Sequence, residues 1–279
     1  ARVDACRDRL ARVTPLLKRF RQSVLSAAMS GDLTSDLTAE FVAASRLLSD
    51  LGSVSGGLTK NAKRAELLMR RPYLRVANVQ TNLLRLDDVS EIGLTETEFE
   101  KTRLVKGDLL IVEGNGSIEQ IGRVAIWDGA IPDCSHQNHL IRWRAGEAVI
   151  PEFVLFFLLS PEGRRQIEAV ASSTTGLHTL SVSKVGNLRM PVPSVLVQAA
   201  AVCRVKTLFA FADRLEARLA KAQTAADRLT PSLLAKAFRG ELVPQDPADE
   251  PAAVLLQRLA ARQPAPTAKT RRPRAGQAG

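Results

Sequence analysis

The chain has 279 residues, enough for one large or two medium domains with a real core. Apolar residues make up 45% and charged residues 24%, an ordinary balance for a folded chain and too apolar for a disordered one. A formal net charge of +10 admits nucleic acid as a partner, so the distribution of that charge has to be read stretch by stretch.

No run approaches ~18 uninterrupted apolar residues, so neither a transmembrane helix nor a membrane partner is expected. The opening ARVDACRDRL lacks the apolar core and cleavage site of a secretory signal. Cys6, Cys134 and Cys203 are scattered and make neither a disulfide framework nor a metal-ligand pair, which fits a cytoplasmic location.

From Val3, apolar residues recur at Cys6, Leu10, Val13, Leu17, Phe20, Val24 and Ala27 in steps of three and four, the seam of a coiled coil. Thr14-Pro15 predicts a kink, and Gly31 a helix end just past Met29. The middle stretch, 41–194, reads as α+β. YLRVANVQ (73–80), LLIVEG (109–114), RVAIWDG (123–129) and HLIRWR (139–144) alternate like strands. PEFVLFFLLSPEGRRQIEAVA (151–171) reads as a helix pair broken near Ser160-Pro161. A second, Ala-rich seam runs through Ala201, Val205, Leu208, Ala212, Leu215, Leu219, Ala222, Ala226, Leu229 and Leu233, with a kink or restart at Thr230-Pro231. A short helix is expected near Ala252–Ala261. The tail 264–279, with Lys269, Arg271, Arg272, Arg274 and no acid, reads as disordered.

One internal repeat stands out. SVLSAAMSGDL (23–33) aligns with SLLAKAFRGEL (232–242), Ser, Leu, Ala, Gly and Leu coinciding. Duplicated helical elements on either side of one domain point to two equivalent partner sites or a pseudo-two-fold assembly.

Catalytic motifs are missing from the sequence. There is no GxxxxGK[ST], HExxH, CxxC or GxSxG, no Gly-rich dinucleotide turn and no Asn/Asp-Pro-Pro-aromatic tetrapeptide. Pro132-Asp133 could open a nuclease carboxylate motif, but no Glu-x-Lys completes it. No catalytic residue and no metal site is expected. His136 and His139 flank Gln137-Asn138, which reads either as a polar loop edge or as a pair of amides suited to adenine.

Charge in the middle stretch is almost balanced, with eighteen basic and seventeen acidic residues, yet it is segregated. Lys60, Lys63, Arg64, Arg70, Arg71 and Arg75 follow the Gly/Ser-rich, flexible-looking GSVSGG (52–57), with Glu66 the one acid among them. From Arg85 to Glu100 the balance reverses, with six acids against one Arg. The basic stretch could contact phosphates or be a solvated loop; Tyr73, Asn78, Gln80 and Asn82 just beyond it favour a recognition surface.

Several ordered blocks carry a family resemblance. RPYLRVANVQ (71–80), KGDLLIVEGNG (106–116), IGRVAIWDG (121–129), HQNHLIRWR (136–144), SPEGRRQI (160–167) and TTGLHTLSVSKVGNLRMPVPS (174–194) resemble the target-recognition domain of a type I restriction-modification specificity subunit. LKRFRQSVLSAAMSGDLT (17–34) and SLLAKAFRGELVPQDPADEPAAVLLQRL (232–259) resemble the two conserved helical regions of that family. PSVLVQ (193–198) departs from it, with Val197 where Glu is usual. Full-length members have two recognition domains; this chain resembles the C-terminal half, as a fragment or a half-length subunit.

The resemblance implies a proximal helical region at 1–40, a recognition domain at 41–196, a distal coiled-coil region at 197–263 and the basic tail at 264–279. It implies double-stranded DNA as partner, methyltransferase subunits docked on the helices, and restriction subunits held indirectly. S-adenosylmethionine, ATP and Mg would belong to those partners, as would adenine methylation and DNA cleavage. Two half-length copies could also pair as a homodimer. The residues expected to contact DNA are Lys60, Lys63, Arg64, Tyr73, Arg75, Asn78, Gln80, Asn115, Ser117, Gln120, Gln137 and Asn138, followed by Thr174, Thr175, His178 and Lys184. Those expected to bind partner subunits are Val24, Met29, Leu33, Leu234, Phe238, Arg239 and Leu242. The competing expectation is a coiled-coil scaffold whose α+β domain binds protein.

Overall fold

The computed structural model describes residues 2–37, 43–174, 177–243, 248 and 250–262, with side chains left out at 2, 115, 172–174 and 177. The expected tail and Thr175 lie outside the described residues. The chain divides into two compact units, Asp8–Lys221 and a smaller one of Ala1–Arg7 with Ala222–Gly279. The larger unit thus takes in residues from both helical regions as well as the middle stretch.

Helix α1 (Arg2–Ala11) stops at Arg12, and α2 (Val13–Ser30) follows. The discontinuity falls before Thr14-Pro15 rather than at it. Pro15 sits in the first turn of α2, where a missing N–H removes no helical hydrogen bond. Gly31 ends α2 with φ 89°, a left-handed cap that favours glycine.

The middle stretch opens with β1 (Ala44–Leu47), α3 (Leu48–Leu51), β2 (Gly52–Ser55), β3 (Arg70–Leu74), β4 (Val79–Gln80), β5 (Leu83–Leu84) and β6 (Ser90–Gly93). It continues with α4 (Glu96–Thr102), β7 (Leu109–Val112), β8 (Gly114–Asn115), β9 (Val124–Ile126), β10 (Ser135–His136) and β11 (Leu140–Ala145). The helix pair α5 (Pro151–Leu159) and α6 (Pro161–Val170) leads to β12 (Ser172–Thr174), β13 (Leu177–Thr179), α7 (Val182–Gly186) and β14 (Arg189–Val192). Then come α8 (Val195–Phe238) and α9 (Ala252–Arg262).

A four-stranded antiparallel sheet in the order β2-β11-β7-β9 forms the centre, beside three-stranded sheets β10-β3-β6 and β12-β13-β8. The α+β expectation holds. GSVSGG is not a flexible linker: its first residues are β2, and a Cβ on Gly52 would stand 2.2 Å from the Arg144 carbonyl oxygen. Glycine is there for close approach in a sheet.

The single strand expected over 73–80 is also corrected. The chain leaves β3 at Leu74, turns through a 3-10 helix at Val76–Asn78 and re-enters as β4. The Asn78 side chain caps that turn by accepting from the Arg75 amide at 2.8 Å, which competes with ladder pairing. In β11, Leu140, Ile141, Arg142 and Trp143 are all buried, so its apparent alternation does not mark one wet face.

The core gathers around α5, whose Phe153–Leu159 run is buried on every side. Val24, Leu25, Ala28 and Met29 of α2 pack into the same cluster, with Ala201, Val202 and Val205 of α8 and Ile111, Val124 and Trp143 of the central sheet. Ser160 separates α5 from α6: its Oγ accepts from the Gly163 amide at 3.1 Å and caps α6. Gln198, fully buried, ties the start of α8 to the domain. Its Oε1 accepts from the Ile150 amide at 2.9 Å, and its Nε2 donates to the Ala148 and Pro193 carbonyls.

Within the larger unit α2 and α8 run antiparallel. Arg21 meets Asp213 and Glu216 of α8, and Arg204 of α8 pairs with Asp36 beyond the end of α2. In the smaller unit Arg7 pairs with Asp227 at 3.1 Å. Of the kink or restart expected at Thr230-Pro231, the restart does not occur, and α8 continues through Pro231. Strong helix formers around it (Leu229, Leu233, Leu234, Ala235, Lys236) outweigh one lost helical hydrogen bond. By length and composition α8 is also apolar enough to cross a membrane, which a count of uninterrupted apolar runs does not reveal. Core helices of soluble proteins pass the same test, and Ala201, Val202, Val205 and Ala212 of α8 are buried in the protein.

Candidate nucleic-acid interface

Folding brings the basic stretch and the acidic stretch against each other. β3 and β6 pair antiparallel, Arg71 opposite Ile92 and Tyr73 opposite Ser90, so residues 59–75 and 85–100 become neighbours. Arg64 makes a bidentate pair with Glu98, at 3.0 and 2.8 Å, and donates to the Thr59 and Gly93 carbonyls. These bonds, first among the causes, hold the Glu98 carboxyl down at about 2. Arg75 pairs with Asp88 at 2.8 Å and Arg70 with Glu91 at 3.7 Å. Arg71 lies over the Phe99 ring, 5.3 Å from its centroid. Arg64 and Arg75 are therefore structural clamps rather than open phosphate contacts. Lys60 and Lys63 are exposed and make no ion pair among the described residues.

Two further expectations are overturned by burial. Tyr73 is 2% exposed and packs with Leu58, Ile92, Leu94 and Phe99. Asn78 is 3% exposed, and its Nδ2 donates to the Arg85 and Asp88 carbonyls at 2.8 Å each. Neither side chain can read a base from where it stands.

His136 is buried as well. Its Nδ1 lies 3.0 Å from the Thr102 carbonyl oxygen. A carbonyl only accepts, so Nδ1 carries the proton, and Nε2 is left without a partner among the described residues. Burial pushes this imidazole down to about 4. Gln137 and Asn138 follow half-buried, with their backbone N–H groups donating to the Leu74 and Leu58 carbonyls. His139 is exposed, 3.2 Å from Glu113.

A different group of polar residues converges on Arg123, which the sequence reading passed over. The β4–β5 turn places Gln80 and Asn82 there, the latter at φ 55° with its amide donating to the Val124 carbonyl at 2.8 Å. The Ser117–Gln120 turn brings Gln120, exposed beside Arg123. The guanidinium Nη1 reaches Oε1 of Gln80 at 3.5 Å and Oε1 of Gln120 at 3.4 Å. Gln80 Nε2 donates to the Ala77 carbonyl, so this amide is turned with its oxygen toward Arg123. A hint was available: Gln80, Gln120 and Arg123 stand at the ends of turns, where polar side chains gather.

The remaining expectations scatter. His178 is half-buried on β13, opposite Asn115 of β8. The side chains of Asn115 and Thr174, like the whole of Thr175, lie outside the described residues. Ser117 is exposed, and half-buried Lys184 belongs to α7. Among the expected partner contacts, Val24 and Met29 are 6% and 7% exposed and belong to the core, with Leu33 packed partly against it. They cannot serve as an open docking face. Leu234, Phe238, Arg239 and Leu242 are all exposed. Among the described residues no group of three or more His, Cys, Asp or Glu is placed to hold a metal ion.

No family model matches the chain. It is 33% identical, over 94% of its length, to the type I restriction enzyme EcoKI specificity subunit of Escherichia coli K12, and 32% identical over 94% to the StySPI specificity subunit of Salmonella potsdam. It spans 59% of each of these relatives. A solved chain from work on complex assembly and conformational transition of a type I R-M system shares the fold, with TM-score 0.57 and 18% identity over 87% of this chain and 58% of that one. Along nearly its whole length the chain is thus a homologue of type I restriction enzyme specificity subunits.

Proposed function

We propose that the chain is a DNA sequence-specificity element of a type I restriction-modification complex, without catalysis of its own. The recognition domain reads one half of a bipartite target. The helices set the distance to the other half and dock methyltransferase subunits. Adenine methylation and cleavage, with S-adenosylmethionine, ATP and Mg, belong to partner subunits. The observation that carries this reading is the homology to two named specificity subunits over 94% of the chain.

The exposed second copy of the repeat supports a protein partner. Leu234, Phe238 and Leu242 are 54%, 90% and 50% exposed, whereas Leu25, Met29 and Leu33 at the matching positions pack into the core. A second recognition domain, supplied by a longer chain or by a second copy of this one, would cover the exposed face. Restriction subunits would join through the methyltransferase.

The test is affinity of the full chain for random duplex DNA across salt concentrations. Expected is binding whose logarithm falls linearly with the logarithm of salt. Absence of binding at low salt favours the protein-binding scaffold instead.

A further inference from the structure

A cleft of about 650 Å3 opens where Arg123 sits, with Leu25 of α2, Leu158 and Leu159 of α5 and Phe209 of α8 in its lining. Six ionisable side chains line it: Lys18, Arg21, Glu119, Arg123, Arg164 and Glu168. Two of the four cations are committed to other groups. Arg21 is held by Asp213 at 2.7 Å and Glu216 at 3.0 Å. Arg164 donates to the Ile121 carbonyl at 2.6 Å and to Glu168 at 3.3 Å.

Arg123 and Lys18 are different. Arg123 has no carboxylate partner among the described residues; its Nη1 reaches only two amide oxygens, at 3.4 and 3.5 Å, and its buried Nε has no acceptor. Lys18, exposed on α2, makes no ion pair among the described residues. A half-buried guanidinium without a counter-ion is an uncompensated positive charge, which favours an anion. The cleft recesses that charge between two turns. Phosphates protrude from a duplex, whereas base edges lie inside its grooves, so a recessed cation suits a phosphate better than a base.

We propose that this cleft seats one backbone phosphate of duplex DNA, with Arg123 and Lys18 as its cations and Gln80 as the residue that orients Arg123. The seat rests on the DNA reading above and adds a phosphate contact to it. Because Lys18 stands on α2 and Arg123 just before β9, the phosphate would be held from two elements that already share one core. Glu119, on the same rim and without an ion pair among the described residues, weakens the attraction.

The experiment measures affinity of the full chain for random duplexes across salt, for the unmodified protein and for K18Q, R123Q, R123K and E119Q. Thermal melts check folding, and Lys18, being exposed, provides a variant that leaves packing alone. Expected for K18Q and R123Q is a shallower salt slope, the two losses together no more than about 0.9 because both cations share one phosphate, with equal loss on every sequence. R123K keeps the slope, since a point charge serves a phosphate. E119Q binds more tightly. Unchanged slopes in K18Q and R123Q, while the unmodified chain binds DNA, overturn the seat and leave the DNA reading intact. A loss confined to one base sequence makes Arg123 a base reader and overturns the seat as well. No DNA binding by the unmodified chain overturns both.

Discussion

SVLSAAMSGDL and SLLAKAFRGEL have nearly the same pattern and end their helices in the same way. Gly31 and Gly240 both adopt positive φ, 89° and 71°. Yet Val24, Leu25 and Met29 are 6%, 2% and 7% exposed, while their counterparts Leu233, Leu234 and Phe238 are 43%, 54% and 90% exposed. Local sequence sets the helix and its cap; burial depends on what stands opposite. The first copy meets the Phe-rich α5 and its stability belongs to the domain. The second keeps the same apolar face uncovered, as an interface would require.

Truncation should break this symmetry most strongly. Leu25→Ala removes a side chain from a packed core and should cost about 2–5 kcal/mol in urea unfolding. Leu234→Ala, at the matching position, should cost less than about 0.5 kcal/mol. Equal costs would mean that the second copy is as well packed as the first.

Acid should separate the two regions next. His136 lies in the larger unit; its folded pKa, pushed down by burial to about 4, is below the 6.5 of an ordinary ring. The unfolded chain therefore binds this proton first, so stability falls as pH drops from 6.5 toward 4, by up to about 3 kcal/mol. Glu98, held at about 2, adds a loss that begins below its ordinary 4.5 and runs down to 2. His136 and Glu98 both lie in the larger unit, so the second copy should keep its helicity between pH 7 and 4. Midpoints of unfolding measured between pH 7 and 4 check the sign. A flat profile would show that His136 is not held neutral by burial.

The smallest contrast is at the caps. Gly31→Ala and Gly240→Ala both force alanine into the left-handed region, at about 1 kcal/mol locally. The first should appear in global unfolding. The second should appear as fraying near Gly240, read by amide exchange, with little change in the global midpoint.

Local chemistry was legible in the sequence: the Gly31 cap, the Ser160-Pro161 break, the strands at 109–112 and 124–126, and the stretches of the two apolar seams that hold buried Leu17, Val24, Ala201, Val205 and Ala212. Features that depend on distant neighbours were not. Arg64 and Glu98 are thirty-four positions apart, and only the β3–β6 pairing turns two charged runs into a set of clamps. Tyr73 and Asn78 look like recognition residues because polar and aromatic groups adjoin a basic run; one is core and the other caps a turn. Arg123 stayed hidden because Gln80, Asn82 and Gln120, which surround it, come from two separate turns. Pro231 is the opposite case, a strong local breaker that starts no new helix because its neighbours carry α8 through.

The central claim, that this chain confers DNA sequence specificity on a methyltransferase, is tested most directly by co-expression with a type I methyltransferase subunit and genome-wide mapping of methylated adenines. The account predicts methylation at one bipartite motif, present only when the chain is present. The same motif methylated without the chain, or no motif with it, would contradict that claim.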